Sequence, residues 1–259
     1  MNYSQKTKQN ISIKYGQIYS IGRHLLCCGD AKDKDLVDKL IGKTKVKAAI
    51  VDPPYGTKTV ESKLNFNQLK TSKIILNDDI TSELDYTKFT EDWLKPIIPY
   101  LAAKNGLYIF NSDAMIFALR EGMKNSGIHF SQLLVWIKSQ AVIGRKDFLP
   151  MHELIAFGWY GRHQALRTKD KSVLFCPKPS KNSIHPTQKP VSLIRRLILN
   201  STLPGETVYD CFAGSGSFAI AAEQTQRSSI SIERDEDYCL AIINRMDGLF
   251  NIKAKLINS

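Results

Sequence analysis

Residues 48–57 read AAIVDPPYGT. An apolar run climbs to Asp52, two prolines follow, and the ring of Tyr55 closes the motif. A carboxylate at the mouth of a buried strand is a strong hydrogen-bond acceptor. Pro53 and Pro54 fix their own φ at about −65° and restrict the residue before each of them. The Asp52 carboxylate and the Pro53 main-chain carbonyl are therefore acceptors aimed in advance. Tyr55 adds a flat face on which a planar ring can stack. A Pro-Pro turn that merely ends a strand has the same local pattern, so its meaning depends on the motifs around it.

A second stretch, TVYDCFAGSGSFAIAAEQT at 207–225, reads as a strand, a glycine turn and a helix. Gly214, Gly216 and Ala219 fit G-x-G-x-x-A, and Glu233 ends the following strand. Glycines permit a tight turn and a close backbone approach, the helix start offers free N–H groups, and an acid about 20 residues on can take a ribose diol. This points to a nucleoside-bearing ligand. A nicotinamide dehydrogenase uses the same fingerprint, but on the first strand of its sheet. Here only one clear strand and two helices follow Gly216, and a dehydrogenase has no use for Asp-Pro-Pro-Tyr.

The elements that must hold these motifs are legible as apolar runs. Strands are expected at 24–29, 46–52, 106–112, 130–138, 152–159, 206–212 and 228–233. Several are continuous rather than alternating, as in strands covered on both faces. Helical patterns fall at 32–42, 89–104, 113–127, 190–202, 217–225 and 235–246, with Pro190 at a first helical position. The alternation argues for an α/β domain with a mostly parallel sheet. Two stretches break it: the polar connection 56–86 and the basic, strand-poor segment 160–189. Connections of that length in a compact domain are usually functional or disordered.

The chain of 259 residues is 43% hydrophobic and 24% charged, enough for a sizeable core. It contains no apolar run long enough to cross a membrane, and the polar start MNYSQKTKQN does not read as a secretory signal. The five cysteines, Cys27, Cys28, Cys176, Cys211 and Cys239, lack C-x-x-C spacing and read as reduced packing thiols in a cytoplasmic protein. The histidines lack zinc-ligand spacing, so no metal site is expected. Net charge is +11, and most of the excess lies between Lys138 and Lys189, where ten basic residues face only Asp147, Glu153 and Asp170. Aromatics, among them Trp136, Phe148, Trp159 and Tyr160, interleave with that charge. The combination favours a nucleic-acid partner.

In order along the chain, Asp52-Pro53-Pro54-Tyr55, HPTQKP at 185–190 and DCFAGSGS at 210–217 resemble the β-class of DNA amino-methyltransferases. In that class the catalytic motif precedes the S-adenosylmethionine motif, and a target-recognition region lies between them. The flanking LLCCGDA, HELIAFGW and SIERDEDY agree, and the resemblance runs from about residue 16 to 246. It implies a Rossmann-like methyltransferase fold with circularly rearranged motif order and a mostly parallel seven-stranded sheet. The chain is then a single domain over 1–259, with a catalytic-loop insertion at 56–86 and a basic target-recognition insertion at about 139–184.

The resemblance also implies an activity: methyl transfer from S-adenosylmethionine to the N6 amine of an adenine flipped out of double-stranded DNA. Asp52 and Pro53 would accept hydrogen bonds from the amine as it becomes tetrahedral, with Pro54 fixing the turn and Tyr55 stacking on the base. For the cofactor it assigns Asp30 to the adenine, Glu233 to the ribose, and Asp210, Phe212, Ala213, Gly214, Ser215 and Gly216 to the turn. Thr187 and Lys189 are candidates beside the methionine carboxylate, Lys189 having a rival reading as a solvated charge at the first turn of a helix; His185 reads as structural. Lys138, Arg145, Lys146, Arg162 and Arg167 are candidate DNA contacts. Members are often homodimers and come from bacteria or phages.

Asp at position 52 resembles the adenine-N6 enzymes, whereas cytosine-N4 enzymes more often open the motif with Ser. Cytosine-N4 methylation is the first alternative, followed by RNA adenine-N6 methylation. A catalytically silent DNA-binding subunit is the reading from another class, opposed by the intact Asp52, Tyr55, Gly214 and Glu233.

Overall fold

The continuous apolar runs become the strands of one sheet. The computed structural model describes residues 11–56, 80–141, 147–166, 170–177 and 188–258. The strands are β1 Ile18–Ile21, β2 His24–Cys28, β3 Val46–Val51, β4 Leu101–Asn111, β5 Ile128–Ile137 and β6 His152–Tyr160. They continue with β7 Arg162–His163, β8 Val173–Phe175, β9 Thr207–Asp210, β10 Ser228–Glu233 and β11 Ala254–Asn258. The sheet order is β11-β1-β2-β10-β9-β3-β4-β6-β5-β8, with β7 beside β4. Neighbours from β2 through β10, β9 and β3 to β4 are parallel. β6 runs antiparallel to both β4 and β5, and β1 antiparallel to β2 and β11. All seven expected strands form, and the short β1, β7, β8 and β11 enlarge the sheet beyond them.

The helices are α1 Lys34–Ile41, α2 Glu83–Leu94, α3 Ile116–Asn125, α4 Val191–Ser201, α5 Ser217–Gln224 and α6 Glu236–Phe250. They cover both faces. On β3, Ala49 and Val51 join a core with α1, α2 and α3, whereas Ala48 and Ile50 join one with α4 and α5. This is why the run before Asp52 is apolar at every position. A third cluster seats α6 against β1, β2 and α5. The five cysteines are free thiols buried in these layers.

Three boundaries differ from the sequence reading. The helix expected over 89–104 ends at Leu94; Pro96 and Pro99 lie beyond it, and the chain makes a 3-10 turn at Ile98–Tyr100 before entering β4 at Leu101. A proline ring lacks the N–H that a continuing helix needs. The polar connection 56–86 already enters α2 at Glu83, capped by Ser82, whose side chain accepts from Asp85 N. Pro190 is the N-cap of α4 rather than its first helical residue. Within the range 139–184, β6 takes its place in the sheet between β4 and β5.

The glycine turn depends on backbone that only glycine adopts without strain. Gly216 is the N-cap of α5 at φ 80°, and a Cβ there would lie 2.8 Å from Ile242 Cγ1 on α6. Gly161 has a similar φ of 68° but open space around it. Gly161→Ala should therefore cost only the left-handed strain, roughly 1–3 kcal/mol. Gly216→Ala should cost more, since the clash with α6 adds overpacking. Urea unfolding of the two variants tests this, and equal losses would mean that α6 yields freely.

Candidate active site

Five polar side chains from four separate segments meet at the carboxyl end of β3. Asp52 follows that strand directly. Its Oδ1 accepts the Tyr55 hydroxyl at 2.7 Å and its Oδ2 accepts Lys189 Nζ at 2.6 Å. Glu153, at the start of β6, brings Oε2 to 3.2 Å from Lys189 Nζ and 3.1 Å from the Tyr55 hydroxyl. Glu153 Oε1 pairs with Lys138 Nζ at 2.8 Å, just past the end of β5. Because β6 is antiparallel to β4 and β5, its start and the end of β5 both come to the end of the sheet where β3 finishes.

Two carboxylates and two ammonium groups thus alternate around one phenol. The Lys189 ammonium also lies over the rings of Tyr55 and Phe110, at 5.3 and 5.2 Å from their centroids. Lys138 lies 5.4 Å over Trp136. Burial pushes the Asp52 carboxyl above the ordinary range, Lys189 opposes the shift, and the Glu153 charge adds to it. Burial also pushes Glu153 upward, but the ammonium groups of Lys189 and Lys138 outweigh it and hold Glu153 at about 2. For Lys189, burial lowers the pKa, yet Asp52 and Glu153 raise it above the usual lysine value. Glu153 is therefore ionised at neutral pH.

The motif is braced from behind. Pro54 O accepts the hydroxyl of Tyr86 on α2 at 2.8 Å, and that hydroxyl accepts Asn111 Nδ2, at the end of β4, at 3.0 Å. Gly56, at φ 66°, packs so closely on Ile80 that an added Cβ would lie 1.9 Å from Ile80 O.

The glycine turn lies beside this cluster because β3 pairs with β9, with Ala49 opposite Tyr209. Asp210 ends β9, fully buried; its Oδ1 accepts Phe212 N at 3.1 Å and, among the described residues, its Oδ2 has no hydrogen-bond partner. Burial raises its pKa well above the carboxylate range, and the Asp52 charge contributes to the rise. Phe212 packs on Trp93 and Phe89, with ring centroids 5.6 and 6.0 Å away. Ala213 is buried, and Ser215 O accepts the Arg245 guanidinium. Glu233 ends β10: its Oε2 accepts Gly214 N at 2.6 Å and its Oε1 accepts Asp235 N at 2.8 Å. Burial pushes Glu233 up to about 7 against those backbone donors. Asp30 follows β2 at the same end, with Oδ1 accepting Lys32 N and Arg234 3.6 Å from Oδ2.

The basic candidates separate. Lys138 is buried and ion-paired within the Asp52 cluster, not on a charged surface. Lys189 is buried there too, which rules out a solvated first-turn charge and directs its ammonium to Asp52. Arg162 is exposed, but β7 pairs it with Lys104 at the amino end of β4, on the edge of the sheet opposite Asp52. The tight turn after β6 carries the chain to that far edge. Arg145, Lys146, Arg167 and Thr187 lie outside the described residues. Sequence reasoning missed Glu153, Tyr86 and Asn111. Glu153 had a signal, an acid opening an otherwise apolar strand; Tyr86 and Asn111 had none.

The brace yields a stability test. Tyr86→Phe removes the donor to Pro54 O and the acceptor of Asn111 while keeping the ring. It should cost roughly 1–3 kcal/mol in urea unfolding, the scale for stripping partners from buried polar groups. No loss would mean that Pro54 and Asn111 find other partners.

The sequence profile of the N6/N4 DNA methylase family matches residues 46–244, from the first residue of β3 into α6. The chain is 25% identical to the Type II methyltransferase M.HpaI of Haemophilus parainfluenzae over 244 residues, spanning 82% of this chain and 72% of that one. Among solved structures it resembles the M1.HpyAVI–SAM complex, with a TM-score of 0.63 at 21% identity over 85% of this chain and 98% of that one. It also resembles the PvuII DNA methyltransferase, described as cytosine-N4-specific, with a TM-score of 0.69 at 15% identity over 90% of each chain. Among the described residues no helix is long and apolar enough to cross a membrane, and no group of His, Cys, Asp and Glu is arranged to hold a metal ion. With the profile matched across most of its length, and with the Asp-Pro-Pro-Tyr and glycine motifs on adjacent strands, the chain belongs to the DNA methylase family.

Proposed function

We propose that the protein methylates the N6 amine of adenine in double-stranded DNA, with S-adenosylmethionine as methyl donor. The observation that carries this reading is the Asp52 carboxylate, held at the end of β3 directly beside the glycine turn after β9. That place, between strands early and late in the chain, is the crevice at which open α/β sheets bind ligands. The choice of adenine rests on the Asp that opens the motif. The fold likeness to a cytosine-N4-specific enzyme keeps the second base in the assay.

The residues of the turn suit the cofactor. Gly214 and Gly216 have positive φ and leave the backbone bare, and α5 begins at once behind them. The Asp210 carboxyl, with Oδ2 unpartnered among the described residues, and the Glu233 carboxylate offer polar partners to hydroxyl and amine groups. Bound there, S-adenosylmethionine supplies an electrophilic methyl group. The chain's own task is to make an exocyclic amine nucleophilic, since its lone pair is delocalised into the ring. Acceptors around the N–H groups favour the tetrahedral nitrogen. Asp52 provides one, Pro53 O is positioned by the rigid turn to provide another, and Asp52 receives the proton that the methylated amine sheds. The ring of Tyr55 serves as the stacking face.

Two experiments test this. Asp52→Ala should retain cofactor binding and lose methyl transfer by about a hundredfold or more, as expected for removing one preorganised polar group that acts on the transition state. Tritiated transfer to unmethylated genomic DNA, with digestion to nucleosides, should give N6-methyladenine. N4-methylcytosine would overturn the base, and a fully active variant would overturn the role of Asp52.

The second uses pH. Ribose hydroxyls donate best to ionised Glu233, so cofactor binding favours loss of its proton. Affinity should therefore rise between about pH 6 and 8, the window in which a carboxyl held at about 7 ionises. Glu233→Gln should bind more weakly, by about 2 kcal/mol, and show no such rise. Calorimetry at several pH values checks both. A rise that persisted in Glu233→Gln would assign it to another group.

A further inference from the structure

Asp52 and Tyr55 are the residues of the cluster that the catalytic motif explains. Two buried ammonium groups and a second, partly buried carboxylate remain, none of them needed to close the strand. Burying such a set is costly unless every charge is paired, and pairs of this kind are poor sources of net stability. Their arrangement is directional. Lys138 holds Oε1 of Glu153, Glu153 Oε2 holds Lys189, and Lys189 holds Oδ2 of Asp52. The chain of contacts ends on the carboxylate that faces the reaction, and Lys189 has three constraints on its head: Asp52, Glu153 and the rings of Tyr55 and Phe110.

We propose that Lys189 is a positioning residue for the methyl-transfer step: seated between Asp52 and Glu153, its ammonium fixes the Asp52 carboxylate as an oriented anion. This rests on the reading of Asp52 as the group that acts on the amine. With Oδ2 committed to Lys189, Asp52 cannot rotate, and Oδ1 is the oxygen left to change partners. In the free protein Oδ1 accepts the Tyr55 hydroxyl. An incoming amine takes up a remaining acceptor position on the same oxygen or displaces that hydroxyl. Glu153, anchored by Lys138, keeps the Lys189 ammonium from leaving the carboxylate it serves. The alternative that the sequence suggested, Lys189 beside the methionine carboxylate, gives the ammonium a different partner and a different signature.

Among the described residues, the charged and titratable groups facing Asp52 are Lys189 before α4, Glu153 on β6, Tyr55 in its own turn and Asp210 at the end of β9. Lys189 is the only cation among them, and Glu153 is an opposing anion. Removing each should move the acid limb of catalysis in opposite directions, which a residue that only supports the fold would not do. Single-turnover methyl transfer to unmethylated genomic DNA, followed against pH, provides the test. Lys189→Met should lower the rate at neutral pH by roughly thirtyfold or more and shift the acid limb upward by about one unit or more, because Asp52 loses its cation. Glu153→Gln should shift the limb downward or leave it below that of the wild type. Lys189→Arg, which keeps the charge, should leave the limb near the wild-type position.

Affinity for S-adenosylmethionine, measured by calorimetry on the same proteins, should change by less than about threefold in Lys189→Met, since the ammonium serves Asp52. A large loss of affinity with an unmoved limb would return Lys189 to the cofactor and overturn the inference. So would limbs that shift the same way in Lys189→Met and Glu153→Gln. A wild-type protein that methylated no DNA would overturn the reading of Asp52 beneath it, whereas an active wild type with an unmoved Lys189→Met limb would overturn the positioning role alone.

Discussion

The parallel pairing of β3 with β9 is the constraint on which the site depends. These strands are far apart in sequence, yet Ala48 and Ala49 stand opposite Val208 and Tyr209. With both strands running the same way, Asp52 and Asp210 emerge at the same end, close enough for the charge of one to raise the pKa of the other. Motif order along the chain is thereby decoupled from motif order in space. The glycine fingerprint lies late in the sequence but occupies the middle of the sheet, between β2–β10 on one side and β3–β4 on the other. Apolar cover on both faces keeps this pairing from slipping, since a one-residue shift would exchange the two cores that β3 separates.

A second constraint follows from strand direction. β6 is antiparallel to β4 and β5, so its first residues and the last residues of β5 arrive at the end where β3 stops. That reversal delivers Glu153 and Lys138 to Asp52. The result is a set of charges, its two ammonium groups buried and its carboxylates partly so, in which each carboxylate touches an ammonium. Such a set adds little to net stability, but breaking one member leaves a buried charge uncompensated. It also sets the two carboxyls apart: Glu153 is held low by two cations, while burial and the Glu153 charge raise Asp52 against its one cation.

The strands were legible because each is a run of apolar residues whose length matches a buried strand, and Asp52 and Glu233 were legible as acids ending such runs. The glycine turn was legible because Gly214 and Gly216 need positive φ. What stayed hidden depended on direction and packing. The local pattern of β6 does not tell whether it runs parallel or antiparallel, so nothing in HELIAFGW announced that Glu153 would reach Asp52. Lys138 and Arg162 read alike as basic residues in a basic stretch, yet one is buried under an ion pair and the other sits at the far edge of the sheet. The helix expected through residue 104 was drawn from periodicity that Pro96 and Pro99 interrupt. Tyr86 reaches Pro54 only through the placement of α2.

The end of β3 and the turn after β9 thus stand as the two halves of one proposed site. A crystal structure of the protein with S-adenosylhomocysteine tests it most directly. The ribose hydroxyls should lie on the Glu233 carboxylate, the amino-acid portion against the Gly214–Gly216 turn, and the sulfur facing the space in front of Asp52. A ligand bound at the amino ends of the strands, or with its sulfur turned away from Asp52, would contradict it.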